Sequence, residues 1–155
     1  MDLVTAAPHA RPPVDQTLVE TQRAFDGVAA SYARSNAENP VLCGMRRRVL
    51  AALERWAPRG SHVLDLGCGP GADLEVLASR GYRVTALDWS AAMVDEARRR
   101  VRQSLLQGRV DVHHLGIQEL DRLAPALYDA AYSNFGPINC VPDVDRAASL
   151  IADRL

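Results

Sequence analysis

This chain has no lysine; all 18 of its basic side chains are arginine, which we read as coding bias. With 19 acidic residues the net charge is −1, so nothing in the balance draws the chain broadly to nucleic acid or to an anionic membrane. Cysteine is scarce as well. Cys43, Cys68 and Cys140 form no CxxC pair, and their odd number argues against a disulfide framework and for a reducing cytoplasm. No hydrophobic run is long enough to span a bilayer, and residues 1–14, rich in Ala and Pro, lack the apolar block of a secretory signal. There is no Ser-His-Asp or Walker-type arrangement. His113 and His114 are neighbours on a predicted strand, where side chains alternate faces, so they make a poor metal pair and no metal site is expected.

What the chain does have is VLDLGCGPG over residues 63–71. Val63, Leu64 and Leu66 read as a short buried strand carrying a carboxylate, Asp65, and opening onto a GxGxG turn of Gly67, Gly69 and Gly71. Such glycines let the backbone turn tightly and approach a ligand with no Cβ in the way. About twenty positions past Gly67, GYRVTALDWS reads as a second strand closing on Asp88, an acid placed to accept both ribose hydroxyls of a nucleoside. Asp88 could instead cap a helix, but Ser90 is an equally good cap for the helix that follows. Gly67, Gly69 and Ala72 also fit the dinucleotide pattern GxGxxG/A. Asp65 argues against that ligand: a pyrophosphate at a helix N-terminus wants backbone N–H groups and no anion nearby, whereas a ligand end bearing an ammonium and a sulfonium welcomes a carboxylate.

The patterning predicts helices over 20–34 and 40–56, the second with Leu42, Met45, Val49, Leu53 and Trp56 on one face. Strands are predicted at 62–66, 83–87, 110–115 and 128–133, alternating with helices at 72–80, 91–106 and 143–155. That alternation dictates an α/β fold with a parallel sheet and right-handed crossovers. The arginine runs 46–48 and 98–102 fall on predicted helices and read as solvated faces.

On VLDLGCGPG, TALDWSAAMVDEAR and YDAAYSNFGPINCV, in that order and spacing, the chain from about residue 25 to 155 resembles the class I S-adenosylmethionine-dependent methyltransferases of the small-molecule group. The resemblance implies a Rossmann-like sheet of order 3-2-1-4 and S-adenosyl-L-methionine as cofactor. It places Asp65 on the methionine ammonium, Gly67, Cys68, Gly69 and Gly71 along the cofactor, and Asp88 on the ribose. Trp89 and Met93 would flank the adenine, Ile117 and Gln118 would border its edge, and Asn134 with Phe135 would lie where cofactor and acceptor meet. Many relatives carry an acid after the third strand; HHLGIQEL offers the amide oxygen of Gln118, or Glu119, in its place.

The resemblance further implies a small-molecule acceptor, since SNFGPI lacks the paired prolines of the nucleic-acid amino-methyltransferases. The catalytic residue is unknown, with Tyr32, His113 and His114 as candidate bases. The expected organisation is an N-terminal arm over 1–19 and a cofactor-binding domain over 20–155 that lacks the family's C-terminal strands. That would leave strand four as an open edge able to self-associate. Two other readings stand beside this one: a noncatalytic cofactor-binding or interaction module, and a NAD-dependent oxidoreductase disfavoured by Asp65.

Overall fold

The near-continuous apolar run of β1 (His62–Leu66) follows from burial on both faces: side chains alternate, so Val63 and Asp65 point to one side of the sheet and Leu64 and Leu66 to the other. A computed structural model, which describes residues 16–155, places β1 at the centre of a four-stranded parallel sheet with β2 (Arg83–Asp88), β3 (Val110–His114) and β4 (Ala130–Tyr132) in the order β3-β2-β1-β4. This is the strand order expected from the sequence. The register pairs Asp65 with Ala86 on β2 and with Tyr132 on β4, so the three strands finish together at one edge of the sheet.

One face is covered by α2 (Pro40–Trp56), α3 (Leu74–Ser79) and α4 (Ala91–Gln103), which bury Leu50, Leu53, Leu77 and Val94 against Val63, Val84 and Val112. The opposite face carries the 3₁₀ segment Ile117–Arg122 and α5 (Val144–Ala152), whose Ala147, Leu150 and Ile151 pack with Leu64, Leu66, Leu87 and Leu120. Each fully buried leucine contributes about 1.5–3 kcal/mol relative to exposure, so these two layers supply most of the driving force. The first helix, α1 (Gln16–Ala37), packs on α4 and α2. No helix among the described residues is long and apolar enough to cross a membrane.

Several boundaries differ from the sequence expectation for identifiable reasons. Of the arm expected over 1–19, residues 1–15 lie outside the described residues and 16–19 form the first turn of α1. The α2 boundaries match, with Asn39 capping the N-terminus by accepting from the Val41 and Leu42 amides and Pro40 at the first turn. Its buried stripe, however, is Leu50, Leu53 and Ala57. Met45 is exposed and Trp56 is 82% exposed, while just past the helix end the Tyr82 hydroxyl donates to the Ala57 carbonyl.

The helix α3 begins two residues later than expected, since the Asp73 side chain serves β4 instead of capping. Strand β4 is half the expected length: the Tyr128 amide donates to the Arg154 carbonyl, and Ser133 donates its hydroxyl to the Leu66 carbonyl. Helix α5 turns inward by its own hydrophobic spacing, but Val144, Ala148 and Leu155 of its expected face are exposed. It is anchored by Arg154, whose guanidinium donates to the carbonyls of Leu120, Leu123 and Ala124.

Candidate functional site

At the carboxyl ends of β1, β2 and β4 the sheet opens into a cleft of about 1110 Å³ of atom-free space, measured out to open solvent. This is where ligands bind in open α/β sheets. Its floor is the Gly-rich turn. The amides of Gly67 and Cys68 both donate to the Leu87 carbonyl at 2.9 Å, tying the end of β1 to the end of β2. Gly67 has φ +83°, and a Cβ there would lie 2.3 Å from Cβ of Pro137, so this glycine admits the chain's own loop against the turn. Gly69, φ +54°, faces open space. Gly71, φ +79°, is buried against Ala97 of α4 and does not line the cleft; its absent side chain lets the turn dock on that helix.

Asp65 is 2% exposed, yet lines the cleft and accepts no hydrogen bond from the described residues. Burial pushes its carboxyl well above the usual carboxylate range, and the charges of Asp73 and Asp88 push it further. Asp88 is held quite differently. Oδ2 accepts from the Gly69 amide at 2.8 Å and Oδ1 from the Ser90 amide at 2.9 Å, while burial, the larger influence, still raises its pKa. Each oxygen keeps a free lone pair for a ligand hydroxyl. Ser90 caps α4, accepting from the Met93 amide, and donates its hydroxyl to Asp26 of α1 at 2.5 Å. The Asp26 carboxylate also accepts from the Ala92 amide, and Trp89 donates its indole N–H to the Leu18 carbonyl. Together these ties hold α1 over the cleft as a roof.

Trp89, Met93, Ile117 and Gln118 all line the same cleft, as do Cys68 and Asn134. Met93 is also fully buried, so core packing and site lining coincide there. Gln118 has a buried side-chain nitrogen with no hydrogen-bond partner among the described residues. An amide in that position has hydrogen-bonding capacity to offer a ligand edge. Of the three candidate bases only Tyr32 lines the cleft, stacked edge-on against Phe25. His113 pairs with Asp111 and His114 with the Trp89 carbonyl, both outside the lining.

One group of residues escaped the sequence reading. Arg46, expected on a solvated face, has a side chain only 17% exposed, lines the cleft and lies 2.5 Å through Nε from Asp73, an ionic contact off the hydrogen-bond direction. Asp73 also accepts from the Tyr132 hydroxyl and the Asn134 amide, each at 3.0 Å. Burial and the neighbouring Asp73 push the Tyr132 phenol far above its ordinary range, so it stays a neutral donor. Of the other arginines in the two runs, Arg47, Arg48, Arg98, Arg99 and Arg102 are exposed as expected, whereas Arg100 is half-buried and donates to the Pro70 carbonyl and to Glu75 of α3.

The model of the methyltransferase domain matches residues 63–155. Among curated proteins, the malonyl-[acyl-carrier protein] O-methyltransferase of Enterobacter lignolyticus is 37% identical over 125 residues, 79% of this chain and 43% of that protein. An S-adenosyl-L-methionine-dependent Diels-Alderase, iliD of a Neonectria species, is 39% identical over 88 residues, 56% of this chain and 35% of its own length. The match thus spans less than half the length of these relatives. Among solved structures, DhpI in complex with S-adenosylhomocysteine superposes with a TM-score of 0.68 at 26% identity, covering 92% of this chain and 66% of that one.

Proposed function

The chain belongs to the methyltransferase-domain family of class I S-adenosylmethionine-dependent proteins, and from that membership we propose that it binds S-adenosylmethionine in this cleft and transfers the methyl group to a small molecule. The observation that carries the reading is Asp65: a buried carboxylate without a partner is costly unless a cation meets it, and the methionine ammonium is such a cation. Asp88 accepts the ribose hydroxyls, and Trp89 and Met93 flank the adenine. Ile117 and the unpartnered Gln118 amide border its edge. The backbone of Gly67, Cys68 and Gly69 forms the floor, with Asn134 near the transferring methyl. Bound there, the cofactor supplies a methyl already activated on a sulfonium. The protein's share is alignment and exclusion of water, for which the α1 roof is placed.

The name of the Enterobacter relative supports an oxygen acceptor. The Diels-Alderase name supports a second reading, in which the bound cofactor is used without methyl transfer. Residues 20–155 act as the cofactor-binding unit in either case. Three free cysteines fit a cytoplasmic location, and the near-neutral charge fits a protein that does not bind nucleic acid.

Calorimetry with S-adenosylhomocysteine and with NAD tests the assignment. The first should bind and the second give no heat; binding of NAD alone would sink it. A separate expectation concerns β4, which pairs only with β1 among the described residues. Its free edge offers backbone to a second copy. Sedimentation should show a dimer growing in with concentration, and a monomer across the whole range would remove that proposal.

A further inference from the structure

We propose that Asp73 is a positioning residue for cofactor binding: it holds the guanidinium of Arg46 by its Nε edge, with Phe135 against its face, so that the two terminal nitrogens are set in advance for the carboxylate of the cofactor's methionine end. This rests on the methyltransferase reading and concerns the same cleft. Besides the sulfonium, that end of the cofactor carries an ammonium and a carboxylate. The ammonium meets Asp65. Arg46 is the only cation lining the cleft among the described residues, which makes its guanidinium the partner left for the carboxylate.

An arginine side chain has many rotamers, and a ligand that must freeze them binds less tightly than one that finds the fork already set. In this cleft the fork is held from two sides. Asp73 Oδ1 lies 2.5 Å from Nε, and the guanidinium carbon lies over the Phe135 ring, 4.9 Å from its centre. Phe135 has φ +62°, a conformation in which a bulky residue persists only where its surroundings enforce it, so the ring is itself a fixed surface. The two terminal nitrogens have no partner among the described residues.

Asp73 is placed for this task and for no local one. It stands at the N-cap of α3, yet its side chain makes no cap hydrogen bond. Oδ2 accepts instead from the Tyr132 hydroxyl and the Asn134 amide, each at 3.0 Å, which leaves Oδ1 facing Arg46. One buried carboxylate thereby joins α2, the start of α3, the end of β4 and the loop after it. With its oxygens engaged in this way Asp73 is no rival for the ammonium, whereas Asp65 accepts from none of the described residues. An amide at position 73 separates the two tasks of this side chain. Its oxygen would stay on the Tyr132 and Asn134 donors and its N–H2 would turn toward Nε, so the strand end keeps its tie while the guanidinium loses its anchor.

The test is calorimetry with two probes, S-adenosylhomocysteine and its decarboxylated analogue, which keeps the amine and lacks the carboxylate. Asp73→Asn should weaken S-adenosylhomocysteine about tenfold and leave the analogue within about twofold of wild type, which also reports that the variant folds. Arg46→Met should lose at least as much on S-adenosylhomocysteine. The double variant should bind it no worse than Arg46→Met alone, because positioning counts only while the guanidinium is there to be positioned. Phe135→Leu removes the stacking face without touching the carboxylate, and should weaken S-adenosylhomocysteine severalfold while sparing the analogue. The proposal is overturned if Asp73→Asn keeps full affinity for S-adenosylhomocysteine, or if the double variant loses the sum of the two single losses. It is equally overturned if Asp73→Asn loses both probes alike, which would make Asp73 a structural acid or the ammonium's own partner, or if Arg46→Met binds S-adenosylhomocysteine as wild type does. Should Asp73→Asn not fold, unchanged affinity in Phe135→Leu overturns it. Failure of S-adenosylhomocysteine to bind the wild type would instead strike the methyltransferase reading itself.

Discussion

Asp65→Asn should weaken S-adenosylhomocysteine binding by about 1.5–3 kcal/mol, roughly ten- to a hundredfold, while making the ligand-free protein more resistant to heat. The two effects share one cause. Burial holds the Asp65 carboxyl well above the ordinary carboxylate range, so the folded empty protein keeps a proton there that the unfolded chain gives up. Stability therefore falls as pH rises from the ordinary carboxylate value toward the raised one. Asparagine has no such proton to lose, so its melting advantage should widen as pH rises above the ordinary carboxylate range. A bound ammonium favours the ionised form, so wild-type binding should release protons and tighten with pH, and the variant's affinity should be flat. Melting curves and calorimetry in buffers of different ionisation heat provide the check. A variant that melts lower at every pH, or binds as well as wild type, would mean that Asp65 is a structural acid.

Gly67→Ala should cost about 2–4 kcal/mol of folding stability, measured by urea unfolding, whereas Gly69→Ala should cost about 1 kcal/mol. Both glycines have positive φ, so both substitutions bear some backbone strain. Only at residue 67 does the new methyl meet something rigid: Cβ and Cγ of Pro137 at 2.3 and 2.4 Å, where a ring must move and take the loop lining the cleft with it. At residue 69 nothing lies within 4 Å. The Gly69 variant should fold and show its loss in cofactor affinity, because the methyl enters the space the ligand would fill. Equal destabilisation of the two variants would show that strain, and not the Pro137 contact, sets the demand for glycine.

The parts of this molecule legible in its sequence are those encoded within one strand-turn-helix segment. β1 and α2 have the expected boundaries because Gly-rich punctuation and an Asn-Pro start are local signals. Asp65, Asp88 and the turn came from the same kind of spacing, and the cleft gathers them with Trp89, Met93, Ile117, Gln118 and Asn134. What the sequence concealed were pairings between distant segments. Asp73 looks like a loop acid until β4 is laid beside β1, bringing Tyr132 and Asn134 to it. Arg46 looks like the first of three surface arginines, and only the burial of α2 against the sheet turns it inward while its two neighbours stay out. The strand order would have suggested that Asp73 has partners on β4; nothing local marks Arg46. The α1 roof was hidden for the same reason, since Asp26 finds Ser90 and Ala92 on another helix. The shortened β4 and α3 reflect tertiary hydrogen bonds overriding local propensity.

Asp88 binds the amides of Gly69 and Ser90 before any ligand arrives, which constrains how this site could be re-engineered. Changing nucleoside preference, for instance to admit a phosphorylated ribose, would ordinarily begin by neutralising the acid at the end of β2. In this chain that substitution would also loosen the Gly69 end of the turn, which stays tied to β2 only through the Leu87 carbonyl, and remove an acceptor from the Ser90 amide at the N-cap of α4. A selectivity change would then come tangled with a change of shape. A redesign would have to supply a replacement acceptor for both amides before the carboxylate could be spared.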